Sequence, residues 1–214
     1  MPQPILFGAT YSVYVRIVRL ALAEKGVDYR LVEVDIFAEG GPPPDYAGRH
    51  PFGRIPAFEH DGFRLYESGA ISRYVDEAFP GPALQPDDAR GRARVSQILS
   101  LLDSYAYRPL VWDIFVERVR ASHNGRTPDE ARIAAALPRA ETCLGALEAL
   151  MEGGPWLAGP ALTLADLHAA PMFAYAVMAP EGRALLARHG ALEQWWGRMA
   201  ARASMAATRS PVEG

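Results

Sequence analysis

The pair Asp61-Gly62 stands between two short strand-like runs, Ile55-Pro56-Ala57-Phe58-Glu59-His60 and Phe63-Arg64-Leu65-Tyr66. A two-residue connection closes an antiparallel hairpin, and Asp-Gly supplies the positive φ angles that such tight turns require. Pro56 has no N–H to give to a ladder, so it belongs at the start or edge of its strand. The spacing predicts a helix directly after the hairpin. Ile71, Tyr74, Val75 and Ala78 fall at i, i+3, i+4 and i+7 behind Ser68, and Pro80-Gly81-Pro82 stops the run.

The segment before the hairpin has a different rhythm. Ile5-Leu6-Phe7, ended by Gly8, reads as a buried strand. Ser12 precedes a helical stretch from about Val13 to Lys25, closed by Gly26. Its apolar positions are Tyr14, Val15, Val18, Ala21 and Leu22, which leaves Arg16, Arg19 and Glu24 to face outward. Tyr29 to Val34 alternates again and predicts a second strand. Strand, helix and strand joined so closely imply a parallel pair with a right-handed crossover. The glycine- and proline-rich loop Gly40-Gly41-Pro42-Pro43-Pro44 then leads to the hairpin, so the order is βαβ followed by ββα, a mixed four-stranded sheet with helices.

From Pro80 to Asp88 the chain reads as a linker, and every periodic segment beyond it reads as helix. Ile133, Leu137, Ala140, Leu144, Leu147 and Met151 form one apolar stripe. The division expected is a first domain over 1–80 and an all-helical one over 88–214. Half of the 214 residues are hydrophobic and 22% are charged, the composition of an ordinary globular chain.

Composition also narrows function. A net charge of -3 and the lack of a groove-reading motif argue against a nucleic-acid partner, and Arg90, Arg92 and Arg94 read as a solvated helix start. No apolar run reaches the length of a membrane span, so no membrane association is expected. The start Met1-Pro2-Gln3-Pro4 carries no secretory pattern, and a single cysteine, Cys143, excludes a disulfide framework within the chain. A reducing, cytoplasmic location follows as the expectation. The five histidines do not pair at helical spacing or neighbour Cys143, so no metal site is expected. Cys143 lies on or beside the apolar stripe and reads as a packing residue.

Several positions admit a structural and a chemical role together. Ser12 reads as a helix N-cap, and the same position, with backbone N–H groups and the positive end of the helix dipole, suits an anion. Ile55-Pro56 reads as a trans edge proline or as a cis bond that turns the Ile55 backbone outward to pair with an extended ligand. Ser68 reads as an N-cap, or with Glu67 as a site for a carboxylate and an ammonium group. Thr163-Leu164-Ala165-Asp166 reads as a capping box with aspartate in the last place, and Asp166 as a folding residue. Tyr105, Tyr107, Trp112 and Phe115, with Met172, Tyr175 and Met178 later, read as core or as the wall of an apolar pocket.

Taken in order, Gly8-Ala9-Thr10-Tyr11-Ser12, His50-Pro51-Phe52-Gly53-Arg54-Ile55-Pro56-Ala57, Glu67-Ser68-Gly69-Ala70-Ile71 and Trp156-Leu157-Ala158-Gly159 with the capping box resemble the glutathione transferases, closest to the serine-type theta- and phi-like classes. The resemblance implies a fold of α/β plus all-α, an N-terminal thioredoxin-like domain followed by an all-helical glutathione-transferase C-terminal domain. Thioredoxin-like proteins place a cis-proline where Pro56 stands. The resemblance also implies that Ser12 is the catalytic serine that donates to the sulfur of glutathione, with Tyr11 as a rival hydroxyl. Ile55 would pair with the cysteinyl part, Glu67 and Ser68 would clamp the γ-glutamyl end, and Arg54 would be a polar contact. Tyr14, Tyr105, Tyr107, Trp112 and Phe115 would meet the electrophile. Phe52 would anchor a homodimer. Glutathione is then the co-substrate and a small apolar electrophile the second partner.

Two features depart from the family pattern. Gly41-Pro42 stands where phi-like members often carry a His-Lys pair that grips the glycyl carboxylate, and His50 replaces a frequent asparagine. The competing expectations are a glutathione-dependent peroxidase, dehalogenase or isomerase at the same site, and a non-catalytic ligand-binding or interaction module of the same fold.

Overall fold

The computed structural model describes residues 2–213. The chain divides into two compact units, one formed by residues up to 83 together with those from 203, the other by residues 84–202.

The first unit is built on four strands, β1 (Ile5–Phe7), β2 (Arg30–Val32), β3 (Ala57–His60) and β4 (Phe63–Tyr66), in the order β2-β1-β3-β4. β1 runs parallel to β2 and antiparallel to β3, with Leu6 opposite both Leu31 and Phe58. The hairpin forms where Asp-Gly predicts it, with φ of 50° at Asp61 and 77° at Gly62. Helix α1 (Val13–Glu24) crosses between β1 and β2, and α2 (Ser68–Ala78) follows β4. Their inner faces bury Ile17, Leu20, Leu22, Ile71 and Val75 with Leu6 and Phe58 of the sheet. Gly8 is needed where the chain leaves β1, because a Cβ there would lie 2.4 Å from Cγ2 of Val15 on α1.

The ladder is shorter than the alternation suggests. β2 spans Arg30–Val32 rather than Tyr29 to Val34, and β3 begins only at Ala57, after Pro56, which has no N–H to donate; the Ile55-Pro56 bond is cis. Ser68 is not the cap of its helix. Glu67 takes the cap position with φ of 71° and no side-chain cap bond, so Ser68 is already helical.

Of the three polar side chains of α1 expected to face outward, Arg16 is buried, while Arg19 and Glu24 are half-buried. Arg16 is 2% exposed. It donates to Met205 O at 3.1 Å, to Thr208 Oγ1 at 3.4 Å and to Glu213 Oε1. Arg19 donates to Thr208 O, and Glu24 accepts from Ser204 Oγ. The residues from 203 onward, assigned by sequence to the helical domain, therefore pack on α1 in the first unit.

In the second unit α3 (Ala89–Leu101), capped by Asp88, runs on in π-helical register over Leu102–Ala106 and Arg108–Arg120 into the short α4 (Ala121–His123). Then come α5 (Glu130–Leu150), α6 (Leu164–Ala176), α7 (Pro180–Leu186) and α8 (Gly190–Ala200), while the short α9 (Ala203–Ala207) belongs to the first unit. Ile133, Ala140, Leu144, Leu147 and Met151 of the stripe are buried, as are Ile98, Met172, Phe173 and Trp195. Asp166, fully buried, accepts from Thr163 N at 2.7 Å, Thr163 Oγ1 at 3.0 Å, Leu157 N at 2.9 Å and Trp195 Nε1 at 2.8 Å. The capping box thus joins the start of α6 to α8 and to the Trp156–Gly159 bridge, as a folding residue would.

Candidate active site

Ser12 caps α1 from an extended conformation, φ -77° and ψ 128°, and its Oγ accepts from Val15 N at a long 3.4 Å. No acidic side chain occupies the first turn. The positive end of the helix is therefore not neutralised locally, and the Ser12 hydroxyl proton has no acceptor among the described residues. A cap that accepts only a long bond and keeps its own donor free is suited to an incoming anion.

Tyr11 is differently engaged. Its hydroxyl donates to Asp35 Oδ1 at 2.5 Å, and the same oxygen accepts from Phe37 N at 2.8 Å. Asp35 thus ties the loop after β2 to the residue beside Ser12. For Tyr11 to serve the sulfur it would first have to leave a carboxylate, and a charge-assisted bond is about twice as strong as a neutral one. Sequence reasoning missed Asp35, whose only local signal is an aspartate two residues before an N–H it can accept from.

The loop before β3 is positioned by a residue that sequence reasoning also missed. Tyr46, 2% exposed, donates its hydroxyl to Arg54 O at 2.8 Å. Burial pushes the Tyr46 hydroxyl up to about 12 against the opposing influence of Arg49, so it stays a donor throughout the physiological range. This fixes the carbonyl just before Ile55, which is itself 7% exposed and followed by the cis bond. The Arg54 side chain is exposed.

At the other end of the sheet Glu67 is exposed and Ser68 is buried at the open start of α2, where no side chain caps the helix. The positive φ of Glu67, uncommon outside glycine and asparagine, turns the chain from β4 into α2 within one residue and leaves the carboxylate beside the helix start. His50, 3% exposed, packs its ring 4.9 Å from Tyr66 and 6.2 Å from Phe52. Burial lowers the His50 pKa, Glu67 opposes that shift and Arg54 adds to it. Phe52 is 71% exposed.

Among the expected electrophile contacts, Phe115 is corrected. It is 2% exposed and stacks on Tyr175 at 4.4 Å, so it belongs to the core of the helical unit. Tyr105 is exposed, while Tyr14, Tyr107 and Trp112 are part-buried. Cys143 is buried, burial raises its pKa, and its thiol donates to Tyr105 O, which makes it an inert packing residue. Among the described residues no group of three or more His, Cys, Asp or Glu is placed to hold a metal, and no helix is long and apolar enough to cross a membrane.

A mixed four-stranded sheet with a cis-proline before its third strand, followed by a helical unit, defines a thioredoxin-like domain with an all-α partner. The family model for the glutathione S-transferase N-terminal domain matches residues 6–83, and that for the C-terminal domain matches residues 101–203. The chain belongs to the glutathione S-transferase family. It is 31% identical to glutathione S-transferase F10 of Arabidopsis thaliana over 188 residues, 86% of each chain. Glutathione transferase F7 of Populus trichocarpa superposes with a TM-score of 0.85 at 29% identity, over 96% of this chain and 97% of that one. The theta class glutathione S-transferase of Xanthomonas axonopodis pv. citri, crystallised with glutathione bound, gives 0.84 at 26% identity, over 99% of this chain and 100% of that one.

Proposed function

We propose that this glutathione transferase holds the thiolate of glutathione against the Ser12 hydroxyl at the start of α1 and transfers the sulfur to an apolar electrophile. The observation that carries the assignment is the contrast between neighbours. Ser12 has a free donor at an open helix start, whereas Tyr11 donates to Asp35.

The energetics ask for more than the hydroxyl. A free thiol has a pKa of about 8.5, and lowering it by roughly two units needs about 2.7 kcal/mol of preferential stabilisation of the thiolate. A neutral donor bond contributes about 1 kcal/mol. The remainder falls to the first N–H groups of α1 and its dipole. In the reaction the thiol proton leaves to solvent, the thiolate lone pair forms the S–C bond, and the electrophile either releases its leaving group or takes up a proton.

In this reading the Ile55 backbone pairs with the cysteinyl unit, beside Pro56 in its cis bond. Glu67 takes the γ-glutamyl ammonium, and Ser68 with the α2 start takes the γ-glutamyl carboxylate. Exposed Arg54 is the cation available for the remaining carboxylate, since Gly41-Pro42 offers none. Tyr14, Tyr105, Tyr107 and Trp112 are the aromatic side chains assigned to the second substrate. The protein works in the cytoplasm as a homodimer anchored by Phe52, with no nucleic-acid partner. Buried Cys143 offers no accessible thiol for disulfide exchange, which favours transfer over oxidoreduction.

Calorimetric titration with glutathione, followed by assay against aryl halides, enones and hydroperoxides, tests the reading. Binding with turnover of carbon electrophiles supports it. Failure to bind glutathione would leave a ligand-binding module of the same fold.

A further inference from the structure

We infer that His50 is a positioning residue for the γ-glutamyl end of glutathione. Its buried ring joins the loop before β3 to the turn between β4 and α2 and, once protonated, competes with the ligand ammonium for the Glu67 carboxylate. The inference rests on the reading of Glu67 as the ammonium partner and does not involve Ser12.

The loop holds His50 at its backbone. His50 N donates to Tyr46 O at 3.1 Å, and Gly53 N donates to His50 O at 2.9 Å. The same Tyr46 fixes the Arg54 carbonyl through its hydroxyl. The His50 ring then packs 4.9 Å from that of Tyr66, the last residue of β4 and the neighbour of Glu67. Phe52 lies 6.2 Å from both rings. His50 therefore links the two parts of the proposed clamp, the loop that carries Ile55 and the turn that carries Glu67.

A role in folding does not account for a histidine here. His60, His168 and His189 are buried too, and each ring has a partner, in turn the Tyr74 hydroxyl, Asp103 Oδ1 and Glu148 Oε2. His50 is 3% exposed, and its ring makes no hydrogen bond among the described residues, with Nδ1 enclosed. A buried polar ring without a bond costs stability that an apolar side chain would not. What the ring does feel is charge. Burial acts most strongly and holds its pKa below the ordinary 6.5, Glu67 opposes that shift and Arg54 adds to it. Arg49, next in the chain, is turned to Asp45 and Glu59. The Tyr46 hydroxyl is committed to Arg54 O.

The sign of the coupling follows. A ligand ammonium seated on Glu67 takes up the carboxylate that would otherwise offset a charged ring, so it disfavours protonated His50. By reciprocity protonated His50 weakens the ligand, and the affinity falls as pH drops below 6.5.

Calorimetric titration of the full-length protein with S-methylglutathione, which has no thiol proton, tests this between about pH 7.5 and 5. In wild type the Kd is expected to rise about fivefold across that range. His50→Asn and His50→Gln, neutral throughout, should give a nearly flat profile. A flat wild type, or equal slopes in wild type and the variants, overturns the inference. If neither variant folds, the histidine ring resonances of wild type decide by NMR. One histidine should titrate at lower pH with S-methylglutathione bound than without it, and the difference should vanish in Glu67→Gln. No difference in any histidine overturns the inference as well. If S-methylglutathione does not bind wild type at all, the glutathione reading has failed and the inference falls with it. If it binds with a flat profile, that reading stands and the role of His50 alone fails.

Discussion

Two helix starts in this molecule use the same chemistry to opposite ends. At α6 the Thr163–Asp166 box is saturated, since Asp166 accepts from Leu157 N, Thr163 N, Thr163 Oγ1 and Trp195 Nε1 and has no exposure to water. At α1 the Ser12 cap bond is long at 3.4 Å, no acid fills the first turn and the hydroxyl keeps its proton. α2 goes further, with no side-chain cap at all behind Glu67. A start that serves folding closes on itself, because buried polar groups cost stability when unpaired. A start that serves binding leaves its donors open, and the ligand completes it.

The sharpest break of this comparison is at the saturated end. Asp166→Ala leaves Leu157 N, Thr163 N and Trp195 Nε1 without their buried acceptor, and we expect a loss of about 3–5 kcal/mol in denaturant unfolding. The helical unit has a second enclosed carboxylate in Asp113, 2% exposed. Burial alone would push its pKa up, but hydrogen bonds from Arg132 and Arg108 outweigh that and hold it below the usual carboxylate value. Hydrogen bonding to Arg126 first, then Asp129 N, holds Glu117 low as well. Both carboxyls are depressed on folding, so their stabilisation is present above the unfolded carboxylate pKa and is lost as pH falls through the folded one. Urea midpoints measured at falling pH below 5 should drop in wild type and drop less in Asp113→Asn, whose baseline is already lower.

At the open ends the expected losses are functional. Glu67→Gln should weaken glutathione binding about tenfold in a calorimetric titration with little change in the melting temperature, because the carboxylate is exposed, makes no cap bond to α2 and in the proposed reading takes the γ-glutamyl ammonium. Tyr11→Phe gives the smallest effect. It removes the bond to Asp35, costs about 1 kcal/mol in unfolding and leaves the thiol pKa of bound glutathione near wild type. A large rise in that pKa would instead move the sulfur contact from Ser12 to Tyr11.

What the sequence revealed follows from the range of the forces involved. The Asp61-Gly62 hairpin, the stripe on α5 and the capping box are set by neighbours a few residues apart, and each leaves a short pattern. Ser12 at the start of α1 was legible for the same reason. Glu67 was legible only in part, since the positive φ that makes it the cap in place of Ser68 has no residue signature. Arg16 was misread because its acceptors Met205, Thr208 and Glu213 are distant in the chain, and helical spacing assigns any arginine there to solvent. Asp35 and Tyr46, which hold Tyr11 and the Arg54 carbonyl, act through single tertiary hydrogen bonds that produce no periodicity. Phe115 had the spacing of both a core and a pocket residue, and only its stacking on Tyr175 separates the two.

The central claim is that the open start of α1 is completed by a thiolate through Ser12. Ultraviolet titration of glutathione bound to wild type and to Ser12→Ala tests it directly. We expect a thiol pKa about two units below the free value in wild type and a rise of about one unit in Ser12→Ala, with the fold unchanged. An unshifted thiol in wild type, or equal values in the two proteins, would contradict the account.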